Sequence, residues 1–298
     1  MQTKDLQYFM KLVEDKNYSK VATFFGVSQP TISYAIKRLE EGLDTKLVKN
    51  DPGHHALEIT DSGWQFYQRA QVATHQLELA KLEIKEATSP KIKLGLPPIL
   101  GTYFFPKFIK DLKQHQLLAK IDAQTTGSSE ALGELLKGNI NIALLGSTTP
   151  LSANDLELRL LGKFPFTIIT PESDTRFKEN RIAFKDAASS DFVTFEEGFV
   201  HNRVFSQLKQ TVGVEPKIAF KTTEAEILKR IVAAGGGIAL LTSLAVTKND
   251  KLRELTLTDS FVPTFKVYIA FRKGYVLDSS EQAFINIMSD PHTGKEEV

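Results

Sequence analysis

The sequence predicts an α/β chain in three parts: a small helical module ending in a β wing, one long helix, and a larger two-lobed α/β domain. Three observations carry that prediction. The first 60 residues hold helix-period apolar stripes divided by a glycine turn, residues 62–87 contain no proline and no glycine after Gly63, and from Lys91 strands alternate with helices. At 298 residues the chain suits a small domain plus a larger one. The expected boundaries are 1–60, 61–89 and 90–298, with lobe one over about 91–160 and 267–298 and lobe two over about 161–266.

Leu6, Phe9, Met10 and Val13 recur at i, i+3, i+4 and i+7, which predicts a first helix over residues 4–15. Ser19 is the expected N-cap of a short second helix, with Tyr18 before it as a hydrophobic staple. Ala22 is small where two helices cross, Gly26 supplies a left-handed stop, and Val27 fills the core. Ser28 caps a third helix, and Pro30 in its first turn forfeits no backbone hydrogen bond.

The third helix carries the functional signal. Ile32, Ala35, Ile36, Leu39 and Leu43 form an inward stripe, leaving Gln29, Thr31, Ser33, Tyr34, Lys37 and Arg38 outside. That outer face has no carboxylate before Glu40. Amide, hydroxyl and phenol groups near its start, with two cations behind, suit DNA base edges first and phosphates next. A helical bundle with an idle polar face leaves the cap, the turn glycine and the polar-then-basic face as coincidence.

Charge adds a constraint. The chain carries a net +1, and residues 1–60 hold eight Lys/Arg against eight Asp/Glu. Position matters more than the sum: Lys20, Lys37, Arg38, Lys46 and Lys49 fall on the second helix, the third helix and the wing, whereas Asp5, Glu14 and Asp15 fall on the first helix. A modest salt slope and weak non-specific binding per protomer follow, so a dimer or larger assembly is expected. In the wing, Pro52-Gly53 makes a hairpin turn that would bring Lys49, His54 and His55 to the sugar-phosphate backbone. Two adjacent histidines also raise a metal site, but no third ligand lies nearby and strand neighbours point to opposite faces, so no metal is expected.

After Thr60-Asp61, a capping pair, Phe66, Ala70, Ala73, Leu77, Ala80, Ile84 and Ala87 recur at steps of four and three. This period predicts helix-on-helix dimerisation, with alanines allowing close approach and Trp64 and Tyr67 packing off the seam on the first module. At 1.5 Å per residue the helix spans roughly 40 Å, enough to separate two reading modules.

Thr88-Ser89-Pro90 marks the next boundary. Strands are expected at 92–96, 119–125 and 140–145, with helices at 103–112 and 129–137, a βαβαβ order that implies a parallel sheet. A second round follows, with strands at 166–169, 192–195, 218–220 and 238–241 and helices at 202–210 and 224–234, the latter stopped by Gly235-Gly236-Gly237. Strand 267–271 and a helix over 279–288 close the chain. Ligands in such sheets bind at the carboxyl ends of strands. The candidate residues are Pro98, Ile99, Leu100 and Thr102 after the first strand, Gly127, Ser128 and Ser129 after the second, then Thr194, Glu196, Thr222 and Thr223. Ser128 and Ser129 offer hydroxyls at a helix start, where an anion is favoured, although each hydroxyl alone also reads as an ordinary cap. Which of Glu196 and Glu197 lines the cleft stays open; an inward carboxylate disfavours an anionic effector, or selects one carrying an ammonium group.

The stretch from Asp5 to about Gly63 resembles the winged helix-turn-helix of LysR-type transcriptional regulators. The shared residues are Leu6, Phe9, Ser19, Ala22, Val27-Ser28-Gln29-Pro30, Ser33, Ile36, Leu39, Glu40, Leu43 and Leu47, then Leu57, Thr60 and Gly63. The resemblance implies double-stranded DNA as partner, a homodimer or homotetramer, a periplasmic-binding-protein-like effector domain, and contact with RNA polymerase in an activator. It places DNA contacts at Gln29, Pro30, Ser33, Tyr34, Lys37 and Arg38. Within the family, residues 27–40 and the wing look similar to malolactic-fermentation regulators of lactic acid bacteria, which implies a small organic acid such as malate as effector. The alternative is a small-solute-binding module without a DNA role.

Zero cysteines exclude disulfides, thiolate zinc and cysteine nucleophiles. No metal cluster, phosphate loop or Ser/His/Asp spacing points to an enzyme, and no cofactor is expected beyond the small-molecule effector. The absence of a signal core or an 18-residue apolar run predicts a cytoplasmic protein with no membrane partner.

Overall fold

The computed structural model describes residues 1–50, 57–86, 91–152 and 154–290. The chain divides into two compact units, Met1–Thr88 and Ser89–Val298.

In the first unit, α1 (Thr3–Asp15), α2 (Tyr18–Phe25) and α3 (Gln29–Leu43) lead into β1 (Val48–Asn50), β2 (Leu57–Ile59) and α4 (Asp61–Glu86). Phe9, Leu12, Ile32, Ile36, Leu39 and Leu47 form a fully buried core. Gly26 ends α2 with φ 65°, a conformation that an L side chain adopts only with strain. The cap of α2 is Asn17, not Ser19: Asn17 has extended backbone and its Oδ1 accepts from the Lys20 N–H at 3.0 Å, so Tyr18 and Ser19 lie inside the helix. Ser28 is the N-cap of α3, yet its hydroxyl pairs with that of Thr31 at 2.9 Å rather than with a backbone N–H. β1 and β2 pair antiparallel, Val48 opposite Ile59. The Pro52-Gly53 turn, His54 and His55, like Ala87 and the 88–90 boundary, lie outside the described residues.

The seam along α4 is divided. Phe66 packs with its ring centroid 5.5 Å from that of Phe9, tilted by 50°, and Ala70 is buried, so both belong to the module's own core. Thr74 is buried too, its hydroxyl donating to Ala70 O at 2.8 Å. Ala73, Leu77, Ala80 and Ile84 remain exposed. Tyr67 packs on the core as expected, whereas Trp64 stays 45% exposed. The start of α4 is pinned by Thr60, whose hydroxyl accepts from Gly63 N–H at 2.9 Å and donates to Lys46 O at 2.7 Å. A Cβ on Gly63 would sit 2.2 Å from Leu47 O, which is why glycine stands there.

The second unit opens with β3 (Ile92–Gly95), α5 (Pro98–Tyr103), a 3₁₀ turn over Phe105–Phe108, α6 (Ile109–Gln114), β4 (Ile121–Gln124), α7 (Ser128–Lys137), β5 (Ile142–Ser147) and β6 (Leu156–Phe164). It continues through β7 (Phe166–Pro171), β8 (Arg181–Ile182), α8 (Phe184–Ala187), β9 (Phe192–Phe195), α9 (Val200–Val212), β10 (Ile218–Thr222), α10 (Ala225–Ala233), β11 (Ala239–Thr242), β12 (Leu252–Leu257), β13 (Phe265–Arg272) and α11 (Ser279–Ser289). One sheet has the order β4-β3-β5-β13-β6, with β3 parallel to β4 and β5 and with β13 antiparallel to its neighbours. The second lobe holds the sheet β11-β7-β12-β8 and the parallel pair β10-β9, linked by a Phe192–Ile238 bridge.

Three expectations differ from the structure here. The single helix over 103–112 is three short pieces, because Pro106 offers no N–H to continue the ladder. The 97–102 segment is not a loop: Pro98 opens α5, and Ile99 and Leu100 are buried in the core. Lobe one also reaches further than residues 160 and 267, since β6 runs to Phe164 and β13 begins at Phe265. Among the described residues no helix is long and apolar enough to cross a membrane.

The Gly63 contact is backbone, so it has little room to yield. Gly63→Ala is expected to lower stability by about 1–3 kcal/mol through overpacking, read as a fall in the denaturation midpoint.

Candidate functional site

Two places gather candidate functional side chains, one in each unit. On α3, Ile32, Ala35, Ile36 and Leu39 are buried and Leu43 is half-buried. Ser28, Gln29, Pro30, Thr31, Ser33, Tyr34, Lys37 and Arg38 are all exposed, as are Lys20 and Lys49. Tyr34 is 69% exposed, unusually free for an aromatic ring on an ordered helix. Lys37 lies 3.6 Å from Glu41, an exposed i,i+4 contact that holds it only weakly.

Arg38 has a partner that sequence reading missed. Its Nε donates to Asp5 Oδ2 at 2.9 Å and its Nη2 to Asp5 Oδ1 at 2.5 Å, a bidentate pair tying α3 to α1. Asp5 is not a carboxylate standing clear of the reading face; it is buried, and also accepts from Gln2 N–H at 2.9 Å. Burial alone would raise its pKa, but the hydrogen bonds from Arg38 and Gln2 prevail and hold it below the usual carboxylate value. Glu40 does similar work at the other end of α3. Its buried carboxylate accepts from Lys46 Nζ at 2.7 Å, Leu47 N–H at 2.9 Å and Val48 N–H at 3.3 Å.

In the second unit a cavity of about 350 Å³ opens where loops from both lobes meet. It brings together the predicted Pro98, Ile99, Leu100, Gly127, Ser128, Ser129 and Thr223. It resolves the glutamate pair in favour of Glu197, which lines it together with Glu130. Four predicted residues do not line it. Thr102 lies further along α5; Glu196 is exposed away from it; Thr194 is buried in β9; and Thr222 is buried, its hydroxyl accepting from Glu224 N–H at 3.1 Å. Tyr103 on α5 donates its hydroxyl to Glu226 on α10, beside buried Lys229, which lies 2.9 Å from Asp250.

Sequence reading also missed His201. It lines the cavity yet is only 3% exposed, and Thr242 N–H donates to its Nε2 at 3.3 Å. Burial lowers its pKa to about 3. The signal was present: His201, Val204, Phe205 and Leu208 recur at i, i+3, i+4 and i+7, so the imidazole sits on the inward stripe of α9. Among the described residues no group of three metal-ligating side chains occurs.

A helix-turn-helix unit followed by a two-lobed α/β unit with a small-molecule cavity defines a transcriptional regulator that carries its own effector-binding domain. Residues 3–64 match the bacterial regulatory helix-turn-helix protein, lysR family, and residues 85–290 match the LysR substrate binding domain. The chain belongs to the LysR family of transcriptional regulators. It is 30% identical over 286 residues to the malolactic fermentation system transcriptional activator of Lactococcus lactis subsp. lactis (strain IL1403), covering 96% of this chain and 97% of that one. It is 27% identical over 262 residues to the hydrogen peroxide-inducible genes activator of Dickeya chrysanthemi, covering 85% and 83%. Among solved structures, a full-length point variant of OxyR from Pseudomonas aeruginosa shares the fold with TM-score 0.55 at 21% identity, over 97% of this chain and 98% of that one. HinK, a LysR family regulator from the same organism, does so with TM-score 0.56 at 20% identity, over 96% of each chain. These families and relatives are regulators, not enzymes.

The Asp5–Arg38 pair makes a pH prediction. A carboxyl whose folded pKa is depressed stabilises the protein above its unfolded value near 3.9, and that contribution is lost as pH falls through the folded value. Because Arg38 is half-exposed, Asp5→Asn should cost only about 1 kcal/mol at neutral pH and should flatten the acid limb of stability measured by urea denaturation.

Proposed function

We propose that the outer face of α3 reads an operator in double-stranded DNA, with Gln29, Ser33 and Tyr34 meeting base edges. Lys20, Thr31, Lys37 and Lys49 meet phosphates, while Ser28 and Pro30 set the helix start. Arg38 stays anchored to Asp5 and offers its remaining guanidinium edge to the backbone. His54, in the wing, is assigned to phosphate on sequence grounds. The observation that carries this reading is the exposed α3 face, free of carboxylates through its first three turns. The rival, a solute-binding module without a DNA role, leaves that face unexplained.

Protomers pair along the second half of α4, where Ala73, Leu77, Ala80 and Ile84 are apolar and exposed. A homodimer or homotetramer then presents two reading helices to two half-sites. The cleft cavity holds a small metabolite, for which an organic acid is the class suggested by similarity to the malolactic fermentation system transcriptional activator. Occupancy changes the lobe angle and, through the paired helices, the spacing of the reading helices. The site of action is the cytoplasm, with RNA polymerase as partner in activation.

Two measurements test these assignments. In fluorescence anisotropy with the segment upstream of the protein's own gene, Ser33→Ala should weaken operator binding by about 1 kcal/mol or more and reduce sequence discrimination, whereas Lys37→Ala should weaken all DNA alike and reduce the salt slope by about 1. Unchanged affinity in both variants defeats the α3 reading. In sedimentation, Leu77→Glu with Ile84→Glu should shift the assembly toward monomer; an unaltered profile moves the interface elsewhere.

A further inference from the structure

His201 fixes more about the cavity than its shape does. Its ring lies among Phe195, Phe166 and Phe265, with centroids 4.8, 5.3 and 5.7 Å away. A backbone N–H can only donate, so the bond from Thr242 requires Nε2 to be unprotonated, and the single proton of the neutral ring is on Nδ1. Protonating the ring would break that bond inside an aromatic enclosure, and burial opposes it as well. His201 is therefore a neutral, one-proton donor, and its Nδ1 has no protein partner among the described residues. Whatever fills the cavity against it must present an acceptor. Negative charge is disfavoured at that point, because an anion there would be desolvated against aromatic faces that are themselves negative.

The opposite end is different. The ten-residue α7 starts at Gly127, which has no side chain to cap it, so its first-turn N–H groups are available to an anion. Ser128 Oγ accepts from Gly146 N–H at 2.9 Å, which leaves its own proton free to donate. One negative charge has a place there. A second has none: among the described residues no Lys or Arg lines the cavity, and the carboxylates of Glu197 and of Glu130, itself in the first turn of α7, already oppose the charge that the helix-start N–H groups and Ser128 must offset. The remaining wall is apolar, formed by Pro98, Ile99, Phe199 and Val200.

We infer that the cavity selects a singly charged carboxylic acid that carries one uncharged oxygen acceptor for His201 and an apolar tail, and that it rejects dianions. This rests on the effector reading of the cleft. His201 is the specificity-determining residue, and a dicarboxylate such as malate is a poor occupant.

The test is titration calorimetry on the full chain with three probes: 5-oxohexanoate, whose keto oxygen is remote from its carboxylate, hexanoate, which lacks that keto oxygen, and L-malate. The oxo acid should bind at least about tenfold more tightly than hexanoate, with no measurable heat from malate. His201→Phe keeps the aromatic enclosure and removes the donor, so it should erase that preference; His201→Gln keeps a donor and should retain part of it. Thermal unfolding of both variants separates lost recognition from lost folding. Malate binding as tightly as the oxo acid overturns the inference, as does a preference that survives in His201→Phe or an absence of heat from all three acids. Ser129→Trp, at an exposed position on the cavity rim, should abolish binding of every probe. Probes that still bind this variant defeat the cleft reading itself, whereas loss of binding in it together with a malate preference defeats only the chemical class.

Discussion

Burial of Ile32, Ile36 and Leu39 against the first helix fixes the rotation of α3, and that rotation decides which side chains face outward. Each of these residues is buried to within 2% of completion, so each contributes on the order of 1.5–3 kcal/mol to keeping the helix in register. A turn by one residue, about 100°, would expose the stripe and bury Ser33 and Lys37. The bidentate Asp5–Arg38 pair opposes the same rotation from the polar side. Apolar packing and a charged latch thus select one orientation, and the outward face follows from both.

The net charge of +1 conceals a division of labour. Cations stand exposed on α2, α3 and β1, where, on the proposed reading, long flexible side chains suffice to meet a polyanion across water. Around the second unit's cavity there are none among the described residues, and on the proposed reading recognition there falls to helix-start N–H groups, hydroxyls and one neutral imidazole. A polyanion rewards accumulated charge, whereas a small metabolite is told from its neighbours by groups that each fit one hydrogen-bonding partner.

Local periodicity made most of the fold legible. The stripes of α1 and α3, the glycine stop of α2, and the alternation of strands and helices after Lys91 are short-range signals, and the structure bears them out. Contacts between distant residues were not legible. Arg38 and Asp5 lie 33 residues apart, so nothing near either one announces the pair. The α4 stripe showed its period but not its division, because which half of a stripe a module's own core consumes depends on how α1 packs. Pro98 was read as a loop although proline favours the first turn of a helix, and that error carried Thr102 into the predicted site. The rule that ligands sit beyond strand ends pointed to Gly127, Ser128, Ser129 and Thr223, which line the cavity. It did not point to His201, which also lines the cavity and which the fold surrounds with aromatic rings.

Glu40 bears on how the protein fits a duplex. One buried carboxylate accepts two backbone N–H groups at the root of β1 while belonging to the last turns of α3. The reading helix and the base of the hairpin are thereby riveted into one caliper of fixed gape. Bending one jaw means stranding a buried anion, a cost of several kcal/mol. On the proposed reading, a groove of the wrong width would itself have to deform to be gripped, and stiff and pliant DNA steps would be told apart without any base being touched.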